Sequence, residues 1–242
     1  MCCCVGPARA ERITVAAAAD LRHAMDALVA TFNRVSPDDQ VSVVYGSSGQ
    51  FLTQIQQGAP FDLYFSADEA YPQALVSSGF ALAPVRRYAV GRLVLWSPQR
   101  PAADLSLSRL TDPRIQHIAI ASPEHAPYGK RAREALQAAG VWSQVQGKLV
   151  YGENIAQAAQ FVQTGNAQVG LIALSLVSGP DTKLKGAYTL IPQSLHQPLN
   201  QGFVVTRLGG GKPLARRFAD HVVAPMSQVL MAKYGFVLPP SH

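Results

Sequence analysis

Beyond residue 4 the chain has no cysteine; its three thiols are Cys2, Cys3 and Cys4. No disulfide can therefore tie distant elements together, and no Cys–His spacing suited to a metal exists. A thiol-free body suits an oxidising compartment. Charge is scarce too, at 15% of residues, where ordinary soluble domains carry about 25%. No apolar run nears the roughly 18 residues that a membrane span needs. The P-loop pattern G-x-x-x-x-G-K-[ST] and the nucleophile elbow G-x-S-x-G are both missing. Their absence removes the usual signatures of nucleotide binding and serine hydrolysis.

What is present is a folded protein of 242 residues, 48% of them hydrophobic. That length suits one large domain or two lobes with real cores. The net charge is +6. Its basic residues are scattered, as in Arg86-Arg87, Lys130-Arg131 and Arg216-Arg217, and form no stripe with aromatics. Nucleic acid is therefore not the expected partner, and a mild field attracting small anions is. Ala8-Arg9-Ala10 before Glu11 has the small-residue form of an export-signal end, without the charged and apolar regions that precede one. Residues 1–11 are expected to be a truncated or misassigned signal remnant, or disordered.

Apolar periodicity alternates between strand and helix. Ile13-Thr14-Val15 opens a strand running into Ala16–Ala19, and Asp20 stands before a helix with Leu21, Ala24, Met25, Leu28, Val29 and Phe32 on one face. Val41–Val44 is a second strand, and Phe61–Phe65 a third, each followed by helical spacing. Such β-α-β-α-β-α order predicts a mainly parallel sheet with helices on both faces. Tyr88–Trp96 is a strongly apolar strand, after which a second α/β series begins with strands at Ile115–Ile120, Leu149–Tyr151 and Val169–Leu174. Gln201–Val205 is apolar enough to cross back, and Pro213–Tyr234 forms an amphipathic tail with Leu214, Phe218, Val222, Met226, Val229 and Leu230 inward. Two lobes joined by two crossings account for this order. Lobe 1 is expected from 12–87 plus 203–242, and lobe 2, with the hinge strands, from 88–202.

The stretch Tyr45-Gly46-Ser47-Ser48-Gly49-Gln50 carries the strongest functional signal. It lies between a strand and a helix, so its hydroxyls and free N–H groups sit at the positive end of that helix. It holds no Lys, Arg, Cys or His, and suits a small anion held by neutral donors. Plain helix capping is the competing reading. In open α/β sheets ligands sit beyond the carboxyl ends of the strands. Asp20, Ser47/Ser48 and Ala67 all fall at such ends, which isolated capping does not predict.

Several segments in order resemble one family. They are Ile13–Leu21, Gly46–Gly49, Gly58–Asp68, Gly91–Ser97, Ala121–Gly129 and Ala232–Phe236, covering about residues 12–237. They are similar to periplasmic molybdate-binding proteins of ABC transporters, the ModA family. The resemblance implies a type II, two-lobe periplasmic-binding-protein fold with two crossing strands as hinge. It implies capture of molybdate, and tungstate as well, between the lobes, for delivery to a membrane permease and an ATPase. It implies a periplasmic, monomeric protein that is not an enzyme and has no cofactor. For the oxyanion site it points to Ala19 or Asp20, Ser48 with Ser47 beside it, and the Ala67 N–H in lobe 1. In lobe 2 it points to Tyr128 and the backbone of Ile155. No residue is expected to ligate a metal directly.

Two positions depart from some family members. Asp20 replaces a neutral hydrogen-bonding residue, and a carboxylate beside a dianion is unfavourable unless it turns away; capping its own helix would do that. Ala173 stands where some members have a tyrosine, and Tyr128 is expected to supply that hydroxyl instead. The alternatives are a hydrolase or transferase using Ser47/Ser48 as a phosphate or sulfate-ester pocket, with His125 and Asp68 as partners, or a sulfate-binding protein. His23, His125 and His196 otherwise read as surface or structural, and Asp62 and Asp68 as caps.

Overall fold

The computed structural model describes residues 10–238. The three cysteines and Ala8-Arg9 lie outside the described residues. Glu11, assigned above to the leader, is tied into the fold. Its carbonyl accepts from the Gln40 N–H at 2.9 Å and its carboxylate from the Leu214 N–H at 2.8 Å.

The first lobe begins β1 (Arg12–Ala18), α1 (Arg22–Val35), β2 (Gln40–Gly46), α2 (Ser48–Gln56), β3 (Leu63–Ser66) and α3 (Ala70–Ser77). Then come β4 (Arg86–Gly91) and β5 (Leu93–Ser97). The second lobe continues with β6 (Ile118–Ala121), α4 (Pro127–Ala138), α5 (Trp142–Val145), β7 (Leu149–Gly152), α6 (Ile155–Gln163), β8 (Val169–Ala173) and β9 (Ala187–Leu190). The chain returns through β10 (Leu199–Val205) and ends in α7 (Pro213–Val223) and α8 (Pro225–Lys233).

The two sheets have the orders β2-β1-β3-β10-β4 and β7-β6-β8-β5-β9. Parallel pairs join β1 to β2 and β3, and β6 to β7 and β8; β10 and β5 pair antiparallel with both their neighbours. Four strands of each sheet thus point one way and one is reversed. In each sheet the reversed strand is the one arriving from the other lobe.

Period-two alternation explains the layering. Ile13, Val15, Ala17, Leu63, Phe65 and Phe203 face α1, α7 and α8, while Ala16, Tyr64 and Val204 face α2 and α3. On α1 the residues Ala24, Met25, Leu28 and Phe32 are buried, as their spacing predicts. Each such apolar side chain contributes about 1.5–3 kcal/mol on burial.

Three expectations are corrected. The apolar run Tyr88–Trp96 is not one strand: it breaks at Arg92 and supplies β4 to the first sheet and β5 to the second. β4 and the whole of β10 pair within the first sheet, so residues 88–91 and 199–202, grouped above with lobe 2, belong structurally to lobe 1's sheet. The tail is two helices, because Pro225 has no N–H to continue α7 and Ala224 turns extended at ψ 149°. Met226 and Val229 consequently point outward, at 79% and 52% exposure.

Candidate functional site

β1, β2 and β3 end at Ala18, Gly46 and Ser66, and β6 and β7 at Ala121 and Gly152. Segments leaving these ends in the two lobes meet around a small, partly open cavity of about 10 Å³. Ala19, Asp20, Ser47, Ser48, Ala67, Tyr128 and Ile155 all line it. It is narrow, about the room of one water-sized sphere, where pockets for organic ligands run to about 300–1,000 Å³. A far larger surface groove, about 1240 Å³, lies between Glu69, Arg87 and Arg131. It is a poorer anion site because Arg87 already pairs with Glu69 at 2.6 Å and Arg131 with Asp68 at 3.1 Å.

Three helices begin at the cavity. α2 starts at Ser48, α4 at Pro127 and α6 at Ile155, and first-turn N–H groups have no partner one turn back. Pro127 suits the first position, since it has no N–H to satisfy. Asn154 caps α6, accepting from the Ala156 and Gln157 N–H groups at 3.0 Å each. The positive ends of all three helices thus converge on the space between the lobes.

Ser48 is placed by its neighbours. Its Oγ accepts from the Ala67 N–H at 3.1 Å, and its carbonyl accepts from the Tyr64 hydroxyl at 2.6 Å. The Ser48 hydroxyl proton is therefore left to donate. The Ala67 N–H, at the edge of the same cavity, thus orients that hydroxyl. Ser47 does different work: its O–H donates to the His125 carbonyl of lobe 2 at 2.6 Å, beside the Gly49 N–H at 2.8 Å. The two bonds latch the lobes closed.

Asp20 is 1% exposed. Its Oδ2 accepts from the Tyr128 hydroxyl at 3.0 Å and from Gln201 Nε2 at 2.6 Å; Oδ1 has no side-chain partner. Side chains of lobe 2 and of β10 thus join the local N–H groups of Asp20 and Leu21 around this carboxylate. Gln201 is itself held by the Tyr88 hydroxyl at 2.7 Å, and Ser175 of lobe 2 donates to the Asp20 carbonyl at 2.8 Å. Burial drives the Asp20 pKa up to about 6, although the Gln201 and Tyr128 hydrogen bonds oppose it. The same burial, with the Asp20 charge nearby, pushes the Tyr128 and Tyr88 phenols well above their usual range. Tyr128 has one hydroxyl proton, and here it goes to Asp20.

The serine, His125 and Asp68 do not assemble for hydrolysis. Ser47 meets the His125 carbonyl rather than its ring, whose Nε2 lies 3.2 Å from Gln50 Nε2. Asp68 accepts from the Ala70 N–H at 3.0 Å and from Arg131, which makes it a cap and an interlobe partner. Gln201, Ser175 and Asn154 were not singled out from sequence. Gln201 had a signal, as an amide inside an apolar crossing strand. Asn154 had one too, as a cap residue before a helical run.

The family model for bacterial extracellular solute-binding proteins matches residues 13–237. The molybdate-binding protein ModA of Rhodobacter capsulatus is 38% identical over 96% of this chain and 90% of its own length. The Azotobacter vinelandii ModA is 35% identical over 96% and 92%. The solved structure of a periplasmic molybdate-binding protein of Azotobacter vinelandii superposes with a TM-score of 0.88, at 30% identity, over 94% of this chain and 100% of that one.

Proposed function

Because the chain belongs to the bacterial extracellular solute-binding proteins and, among them, to the ModA family, we propose that it captures molybdate in the interlobe cavity. It is the binding component of an ABC transporter, and in this reading it acts outside the cytoplasm, handing its cargo to a permease driven by an ATPase. Tungstate, a tetrahedral dianion of the same charge, is a second cargo.

The observation that carries the reading is the convergence of α2, α4 and α6 on a cavity of about 10 Å³ that no cationic side chain lines. A fully ionised tetrahedral anion needs donors on every side and offers only acceptors. Helix N–H groups and the Ser48 hydroxyl meet that need. A protonated anion would bring O–H groups, which an all-donor wall cannot accept, at a cost of about 1–3 kcal/mol for each unpaired group.

Residues of both lobes line the cavity, so binding and closure are one event in this reading. Ser48 and Ala67 form the half-site of lobe 1, and closure brings Tyr128 and Ile155 of lobe 2 against it. The hinge lies where the chain crosses, at Gly91–Leu93 and between β9 and β10. Calorimetric titration with molybdate, tungstate, sulfate and phosphate tests the proposal. Tight binding of molybdate and tungstate with no sulfate response is expected. No response to molybdate would refute it.

A further inference from the structure

Asp20 carries the one carboxyl lining the cavity. Both of its side-chain donors, the Tyr128 hydroxyl and Gln201 Nε2, reach Oδ2, while Oδ1 is buried with no side-chain donor, only the backbone N–H groups of Asp20 and Leu21 lying beside the carboxylate. No Lys, Arg or His hydrogen-bonds or pairs with it among the described residues. The groups facing it are the Tyr128 phenol from α4, the Tyr88 phenol from β4, the Gln201 amide from β10 and the Ser175 hydroxyl from lobe 2. None of these supplies a positive charge. Gly91 keeps the cluster tight, since a Cβ there would overlap Gln201 Nε2 at 2.6 Å.

An ionised Asp20 beside a dianion would gather three negative charges around one small cavity with no cation to offset them. An acceptor at Oδ1 would also face the oxygens of an anion that has no proton to share. One proton on Oδ1 resolves both conflicts. It removes the charge and turns that acceptor into a donor, while Oδ2 keeps its two bonds. We propose that Asp20 takes up a proton at Oδ1 as the lobes close on the oxyanion, and that its O–H then donates to an oxygen of the ligand. One solvent proton is thereby captured with each dianion. The proton stays on Asp20, and no bond within the anion changes. The upward shift that burial gives this carboxyl runs the same way, and a neighbouring dianion would extend it.

This inference rests on the proposed anion site, and its test separates the two. Molybdate binding is measured calorimetrically at pH 7 in buffers of different ionisation heat, on the full chain and on Asp20→Asn. Uptake of about one proton per molybdate is expected for the unmodified protein, and uptake near zero for Asp20→Asn, which still binds. The affinity of the unmodified protein should fall by about fivefold from pH 6 to 7 and by nearly tenfold from pH 7 to 8, approaching the slope for one linked proton. Asp20→Asn should be flat over that range. Infrared difference spectra provide a readout that needs no variant: molybdate should raise the carbonyl stretch of a protonated carboxylic acid. Binding without proton uptake, or uptake unchanged in Asp20→Asn, overturns the inference and leaves the binding function standing. Failure to bind molybdate at all overturns both.

Discussion

Replacing Gly49 by alanine is expected to hold the two lobes apart. Gly49 is the second residue of α2, and its φ is not positive, so its backbone accepts any L residue. What excludes a side chain is the opposite lobe. A Cβ at this position would stand 2.6 Å from the His125 carbonyl oxygen and 2.9 Å from the His125 Cα. These are backbone atoms, and the first contact is about 0.8 Å short of the 3.4 Å at which ordinary packing begins. The lobes must separate by a comparable amount. That separation stretches the Gly49 N–H and Ser47 O–H bonds to the same carbonyl, now 2.8 and 2.6 Å. Two such bonds at about 1 kcal/mol each give about 2 kcal/mol, or about a 30-fold loss of molybdate affinity. Larger losses follow if Tyr128 and Ile155 no longer reach the ligand. The lobe itself should not suffer, because alanine favours a helix over glycine by about 1 kcal/mol. Calorimetry gives the affinity, and small-angle scattering the compaction on adding molybdate. Unchanged affinity together with full ligand-induced compaction would refute the reasoning.

Ser48→Ala removes a side-chain hydroxyl whose proton is free for the anion; a bond of this charged kind is worth about 1.5–3 kcal/mol, so affinity should drop by about 10- to 100-fold, and the melting temperature should fall as well because the buried Ala67 N–H loses its acceptor. Asp62→Ala should do the reverse. That carboxylate is buried, accepts from the Thr14 N–H at 2.8 Å and pairs with Lys212 at 2.8 Å, so its loss should cost about 1–3 kcal/mol in chemical denaturation and leave affinity intact. The ligand-free protein should also show an Asp20-linked pH dependence. Its folded pKa, about 6, exceeds the unfolded 3.8, so this contribution is fully present below pH 3.8 and is lost as pH rises through 6. The span corresponds to about 3 kcal/mol, and the difference between the thermal stability of the unmodified protein and of Asp20→Asn should change across that window.

Local pattern made much of this architecture readable. Ile13, Val15 and Ala17 alternate with Ala16, and the Gly46–Gly49 loop and Gly58-Ala59-Pro60 punctuate the elements, so β1, β2 and β3 and their carboxyl-end loops could be placed. The break at Arg92 could not, because apolar residues run through it and only pairing with different sheets separates β4 from β5. Pro225 was a legible stop that the inward spacing of Leu214, Phe218 and Val222 obscured. At the site, the converging residues were legible from strand ends and from family resemblance, but the direction of each hydrogen bond was not. Asp20 reads locally as a cap. Its side-chain donors lie at Tyr128 and Gln201, and no short-range pattern connects positions so far apart in the chain.

The exchange of reversed strands between the sheets imposes an order on the chain's assembly. The second sheet is contiguous from β5 to β9, so it can form as soon as Leu190 has emerged from synthesis or from a translocation channel. The first sheet cannot, since β10 lies between β3 and β4, and nothing holds β4 in place until Leu199–Val205 arrive. Lobe 1 must therefore wait with a gap in its middle while lobe 2 matures. Nascent chains ending before residue 199 should protect lobe 2 alone from proteolysis, and the half-site that holds Ser48 would be the last part of the molecule to set.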